Sequence, residues 1–317
     1  MATITSSQGI WKFPGLHSKY QGIASAVLFL VYSLNMIGNA TIFFLFATDR
    51  SLHKPMYHII LNLSACDILF STTTLPKIIS KYWFQSGTIS FTACFVQMYF
   101  VHYLGSVNSY ILFLMALDRY LAIFHPLRYP LVLKNSTICI ISITAWVIAN
   151  AAPLMLVIRA CVLPYCDSNF IVQCYCDHIS ITRLACGEDV KYVKSVALGL
   201  AMFSLLLPLS FILFSYFSIF LVVMRIPNME GRYKTISTCT PQLLISCLYY
   251  LPRCFVYLSN AVGFTFSLDV RILLILLYSL LPCAVNPVIY CFKTKDMKDV
   301  LMKIFKKAKI GMKQVSK

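Results

Sequence analysis

Charge is what this 317-residue chain has least of. Charged side chains make up 12% of it, about half the share of a soluble domain, which argues against a water-solvated globule. Acidic residues are scarcest, 11 against 27 Lys and Arg, for a net charge of +16. Nucleic-acid binders of that charge spread Lys and Arg through hydrophilic domains. Here they sit between long uncharged runs, so the excess reads as membrane topology and no nucleic-acid partner is expected. His-Glu-x-x-His, Gly-x-Ser-x-Gly and Walker patterns are all missing, so neither an enzyme nor a cofactor is expected. Internal repeats are missing too, which counts against a transporter. No glycosylation sequon occurs between Met1 and Tyr20, and no signal-peptide cleavage site follows the first apolar run, which is expected to act as an uncleaved anchor.

Apolar side chains supply 59% of the chain, with 14% aromatic, and the mean hydropathy is +0.76. Gly (11) and Pro (13) are ordinary, which excludes collagen and disorder. Tyr20 to Thr48, Tyr82 to Leu117, Asn135 to Ile158, Ser195 to Met224, Thr235 to Pro252 and Ile272 to Phe292 carry no charge. Each meets or approaches the ~20 residues that cross a bilayer as a helix. Tyr57 to Ser80 would also span, although it contains Asp67. The reading is an all-α membrane protein, a seven-transmembrane helix bundle with a short amphipathic eighth helix. A single domain covers 1–317: an extracellular tail to 21, the bundle over 22–292, then the eighth helix and a cytoplasmic tail. In that last helix Met297, Val300, Leu301, Ile304, Phe305 and Ala308 recur at helical spacing opposite lysines, an interfacial pattern that makes membrane lipids a partner. With the N-terminus outside, 17 of the 27 basic residues fall on the cytoplasmic side, as the positive-inside rule favours.

Polar residues inside spans are informative because a charge at mid-bilayer is expensive, about 2.5–3.5 kcal/mol on the lenient scale. Asp67 must face the bundle interior, with Asn39, Asn108 and Asn286 as companions. The group reads either as a polar knot that packs helices or as a cation or proton site. Pro153, Pro208, Pro252, Pro282 and Pro287 fall within spans and can bend them. Five cysteines, Cys161, Cys166, Cys174, Cys176 and Cys186, crowd the long segment between the fourth and fifth spans, and Cys94 lies at the outer end of the third. Disulfides fit this better than zinc, because a second closely spaced pair is missing.

The third span ends Met115-Ala116-Leu117-Asp118-Arg119-Tyr120, then runs Leu121-Ala122-Ile123-Phe124-His125-Pro126-Leu127-Arg128-Tyr129. This run resembles the extended signature of the rhodopsin-like G-protein-coupled receptors and, within them, the odorant receptors. Gly38-Asn39, Pro55-Met56-Tyr57, Leu63-Ser64 through Asp67, Ser215-Tyr216, Lys234 through Ser237-Thr238-Cys239 and Asn286-Pro287-Val288-Ile289-Tyr290 match in order and spacing. Tyr175-Cys176-Asp177-His178 with Leu184-Ala185-Cys186 resembles the fish-type branch. There are departures: Gln242 stands where the family commonly has His, and Cys174 adds a thiol beside Cys176.

The resemblance implies detection of a small-molecule odorant and activation of a heterotrimeric G protein of the stimulatory, cAMP-raising type. It implies a multi-pass protein of the plasma membrane, in sensory cilia if olfactory. It implies that Arg119 pairs with Asp118 at rest and is released to the G protein, with Tyr120, Tyr216, Asn286, Pro287 and Tyr290 serving activation. It implies disulfides Cys94–Cys176 and Cys166–Cys186, which the outer placement of these cysteines also favours. A non-olfactory rhodopsin-like receptor for a lipid or peptide, or a membrane transporter, remains as an alternative. For the ligand, Arg253 follows a helix-six proline within apolar sequence, so its guanidinium is expected to face a cavity, water or a counter-charge. Together with His102 and His178 it suggests an anionic or strongly polar ligand in the outer half of the bundle, lined also by Ser106, Ser109, Ser204, Tyr250 and Tyr257. Internal pairing of Arg253 with Asp177 or Asp269, and ordinary packing of both histidines, stand as the bland alternatives.

Overall fold

The computed structural model describes residues 10–13, 18–166, 169–261 and 268–315; Tyr257 and Asp269 are described in backbone only. Strand β1 (Ile10–Lys12) precedes helix α1 (Ser18–Thr48). A 3-10 turn at Arg50–Leu52, capped by the Asp49 carboxylate accepting from Ser51 N–H, leads to α2 (Pro55–Phe84). Pro55 opens α2 in the first turn, where its missing N–H is harmless. Strand β2 (Thr88–Ser90) and α3 (Phe91–Phe124) follow, with Ser90 Oγ accepting from Ala93 N–H as the cap. After α4 (Tyr129–Val132) the fourth span comes in two pieces, α5 (Asn135–Ile148) and α6 (Ala151–Cys161). A short α7 (His178–Thr182) lies in the long segment before α8 (Asp189–Arg225). The chain ends with α9 (Met229–Ala261), α10 (Leu268–Lys293) and α11 (Lys295–Val315).

Among the described residues five helical segments, Tyr20–Thr48, Pro55–Phe84, Phe91–Phe124, Asn135–Cys161 and Asp189–Arg225, are long and apolar enough to cross a membrane. Helices α9 and α10, packed side by side, complete the seven-helix bundle. The outward faces of α1, α5 and α8 carry Ile23, Ile37, Ile140, Ile143, Phe203 and Leu213, all exposed, as lipid-facing surfaces require. The main core is built from α2 and α3, from Leu63 and Ile78 to Leu104 and Ile111, with Tyr290 of α10 closing it.

Three boundaries differ from the sequence reading. Helix α1 begins at Ser18, ahead of residue 22 where the sequence reading opens the bundle. Helix α9 starts at Met229, so its charged first turns extend past the apolar run opening at Thr235 and leave only residues 226–228 outside helix. The third difference is in the N-terminal tail, where β1 pairs antiparallel with β2, Trp11 opposite Ile89. Trp11 is buried among Phe91, Phe95 and Tyr165, with ring centroids 5.3–5.9 Å away, forming a second small core at the disulfide-bearing end. One apolar ring in a polar tail gives no periodic signal, so only the packing reveals it.

Helix α11 divides its apolar stripe. Met297 and Val300 are buried against the bundle with Leu301 and Ile304 beside them, whereas Met302 and Phe305 stay exposed. Lys54 Nζ lies 2.5 Å from Asp296 Oδ2, and Lys303 Nζ lies 3.3 Å from Asp49 Oδ2, so α11 is pinned to the turn between α1 and α2.

Candidate functional site

Midway along the bundle Asp67 is fully buried in hydrogen bonds. Asn286 Nδ2 donates to its Oδ2 at 2.8 Å and Asn108 Nδ2 to its Oδ1 at 3.4 Å. Asn39 does not reach the carboxylate. It donates to Asn35 Oδ1 at 2.6 Å and to the Cys283 carbonyl at 3.5 Å, tying α1 to α10. Asn35 in turn donates to Ser71 Oγ and to the Asp67 carbonyl. Asn35 and Ser71 lie one helical turn from Asn39 and Asp67 respectively, a spacing that could have signalled them.

At the end remote from the disulfides, Asp118 and Arg119 close α3. Asp118 Oδ2 lies 3.6 Å from Arg119 Nε, and its Oδ1 accepts from the Tyr129 hydroxyl at 2.7 Å. The carboxylate is therefore shared between its neighbour and α4. Burial, then the adjacent Asp118 charge, raises the Tyr129 phenol above its ordinary range, so it stays a donor. Tyr120 stacks on Phe124 at 4.5 Å and meets Phe211 and Phe214 of α8. Tyr290 donates to Met115 Sδ at 3.4 Å. The Tyr216 hydroxyl is buried without a hydrogen-bond partner among the described residues. Neither tyrosine bonds Arg119 among the described residues, and the Tyr216 hydroxyl is left as an unused donor. Pro287 lies on Gly38 rather than on this cluster.

At the opposite end the structure bonds Cys94 to Cys176 and Cys166 to Cys186, with Cα–Cα separations of 5.5 and 5.9 Å. Cys161 is exposed and free; Cys174 is buried and free, and burial pushes its thiol up to about 12, far from a reactive thiolate. The first bridge holds the segment before α7 over α3. His102 Nε2 accepts from the His178 N–H at 3.3 Å, and the two rings stand 6.5 Å apart. Burial, the His102 ring and Lys194 push His178 down to about 4, so it is neutral at ordinary pH.

Lower on the same face of α3, at i+4 and i+7 from His102, come Ser106 and Ser109. Ser109 Oγ is 2.6 Å from the Tyr250 hydroxyl and 3.4 Å from the Ser204 carbonyl, joining α3, α8 and α9. Arg253, one turn beyond Tyr249 on α9, donates Nη1 to the Tyr249 carbonyl at 3.0 Å, and its guanidinium lies 3.7 Å from the Tyr249 ring. It thus has an internal partner in Tyr249; the Asp269 side chain lies outside the described residues. The Tyr257 side chain lies outside the described residues.

A family model described as "Olfactory receptor" matches residues 28–308. The chain belongs to the olfactory receptor family. The receptor is 36% identical to olfactory receptor 52K1 of Homo sapiens over 298 residues, 93% of each chain. It is 35% identical to olfactory receptor 2AT4 of Homo sapiens, covering 88% of this chain and 86% of that one. Olfactory receptor 51E2 of Homo sapiens is 36% identical over 92% and 91% of the two chains. Membership makes this an odorant-detecting, G-protein-coupled, multi-pass membrane protein, and not an enzyme.

Three residues position this olfactory receptor's sites through contacts that its sequence does not show. Gln97 accepts from the Cys176 N–H at 3.0 Å and donates to the Thr73 carbonyl at 2.9 Å, bracing the bridge against α2. Tyr249 donates to the Gly105 carbonyl at 2.6 Å while carrying Arg253. Tyr129 lies within the signature, yet its bond to Asp118 depends on how α4 folds back. Each contact joins separate elements, and spacing along one chain does not encode that.

Proposed function

We propose that the receptor binds a small polar or anionic odorant beneath α7 and couples it to a stimulatory, cAMP-raising G protein. The observation that carries this is the meeting of Ser109, the Ser204 carbonyl and Tyr250 from three helices, with Ser106 and His102 spaced along the same face of α3 below the disulfide-tethered α7 segment. A few polar groups on aromatic walls are what small-ligand sites use for orientation. Arg253 supplies the positive charge. Its planar guanidinium stacks on the Tyr249 ring, and a guanidinium is the side chain best matched to a carboxylate.

The disulfide-bearing end faces the outside and the Asp118–Arg119 end the cytoplasm. Oxidising conditions at the first and the excess of basic residues at the second support that orientation. Membership of the olfactory receptor family supports a place in the plasma membrane, in sensory cilia if the receptor is used in olfaction. Asp118, Arg119, Tyr120, Tyr216 and Tyr290, with Asn286 and Pro287 nearer the middle of the bundle, form the activation apparatus. A ligand shifts this apparatus only if it binds the active arrangement better than the resting one.

The test is a panel of carboxylates and matched neutral alcohols and esters applied to cells carrying a cAMP reporter. A carboxylate agonist should lose potency on Arg253→Ala, and less on Arg253→Lys, which keeps charge but not the fork. Agonists that are all neutral, acting equally on a surface-expressed Arg253→Ala receptor, would overturn the anionic class.

A further inference from the structure

The segment leading into α7 is fastened to α3 at three points within three residues. Cys176 is bridged to Cys94, the Cys176 N–H donates to Gln97 Oε1, and the His178 N–H donates to His102 Nε2. Disulfide and amide do not titrate in mild acid. The imidazole does. A backbone N–H can only donate, so Nε2 must present its lone pair, and the His102 ring is in the neutral form with its proton on Nδ1. Adding a proton at Nε2 would set two N–H donors against each other and leave a cation beside the His178 ring.

We infer that His102 Nε2 is a proton-binding site, and that a proton there unlatches α7 from α3 and opens the lid over the pocket.

The surrounding charges give the site a direction. Asp177, the residue immediately before His178, brings a negative charge to the latch. It also caps α7 by accepting from the Ser180 N–H at 3.1 Å. Lys194 of α8 faces His178. On α9, Arg253 turns to Tyr249, and the Tyr249 and Tyr250 hydroxyls are taken by Gly105 and Ser109. On α2, Lys81 lies over the Phe13 and Tyr82 rings beside Cys174, and Cys66 donates to the Leu104 carbonyl. Helix α6 contributes Arg159 and Cys161 in its last turn. The latched form excludes the proton and the open form accepts it, so acid favours opening. By linkage, an odorant that seals the lid binds less tightly as pH falls. This stands on the lid geometry, whatever the chemical class of the odorant.

Hydrogen exchange of the intact receptor in lipid nanodiscs, corrected at each pH for the intrinsic rate, reads the opening of residues 177–184. From pH 7.5 to 5.0 the protection of these amides should fall, by up to about tenfold per pH unit, the limit for one proton. His178 stays neutral over most of that range. His102→Gln offers an oxygen acceptor that does not titrate, so its profile should be flat. Asp177→Asn keeps the cap, because Asn serves as well there, and should move the transition to lower pH. A flat wild-type profile, or the wild-type fall persisting in His102→Gln, overturns the inference. If His102→Gln does not fold, Asp177→Asn decides alone: a shift to lower pH supports it and an unmoved transition refutes it.

Discussion

A β-carbon placed on Gly38 would lie 2.8 Å from Cβ of Pro287, so α1 and α10 touch at a point where only a hydrogen fits. The two residues belong to separate sequence motifs, Gly38-Asn39 and Asn286-Pro287, and the same crossing carries the Asn39 bond to the Cys283 carbonyl. Small residues let membrane helices approach closely.

Gly38→Ala should therefore destabilise the receptor by about 1–3 kcal/mol, the usual result of overpacking. Lower thermal stability in detergent and reduced surface expression are the readouts. Gly22, with open space around it, serves as the control, and Gly22→Ala should do neither.

The Tyr129 hydroxyl helps hold Asp118 in its resting place. Tyr129→Phe removes one hydrogen bond to a charged group and should raise ligand-free cAMP several-fold, within the roughly tenfold that about 1.4 kcal/mol allows. Arg119→Ala, by contrast, should leave odorant binding largely intact and abolish G-protein activation. Normal signalling from a well-expressed Arg119→Ala receptor would remove Arg119 from the activation apparatus.

Non-reducing peptide mapping should recover Cys94 with Cys176 and Cys166 with Cys186, and alkylate Cys161 without denaturant but Cys174 only after unfolding. Cys94→Ser should lower stability by about 2–4 kcal/mol. Finding Cys94 as a free thiol in the native receptor contradicts this pairing.

The pins on α11 are solvent-exposed, with 59% and 38% of the Lys54 and Asp296 side chains accessible. Each should contribute no more than about 0.2–1 kcal/mol. Lys54→Asp should speed exchange in residues 295–304, and adding Asp296→Lys should restore it. The bond from Lys54 holds Asp296 below its ordinary range. Its stabilisation is thus full above about pH 4 and fades as pH falls further. High salt should weaken it in the same way.

The receptor architecture was legible in the chain because a bilayer imposes a one-dimensional rule. Each span must be ~20 residues of apolar helix, and each charge inside one must face the interior. Asp67, Asn108 and Asn286 could be grouped on that basis alone. The signature around Asp118 and Arg119 likewise needed no coordinates to be found. Tertiary structure alone decided which groups touch: Asn39 reaching Asp67 only through Asn35, Arg253 resting on Tyr249, Trp11 sealing a second core, and His102 accepting from the backbone of α7. Those contacts depend on helix rotation and on where a long loop lands. Both are set by packing among elements far apart in sequence, where no local periodicity records them.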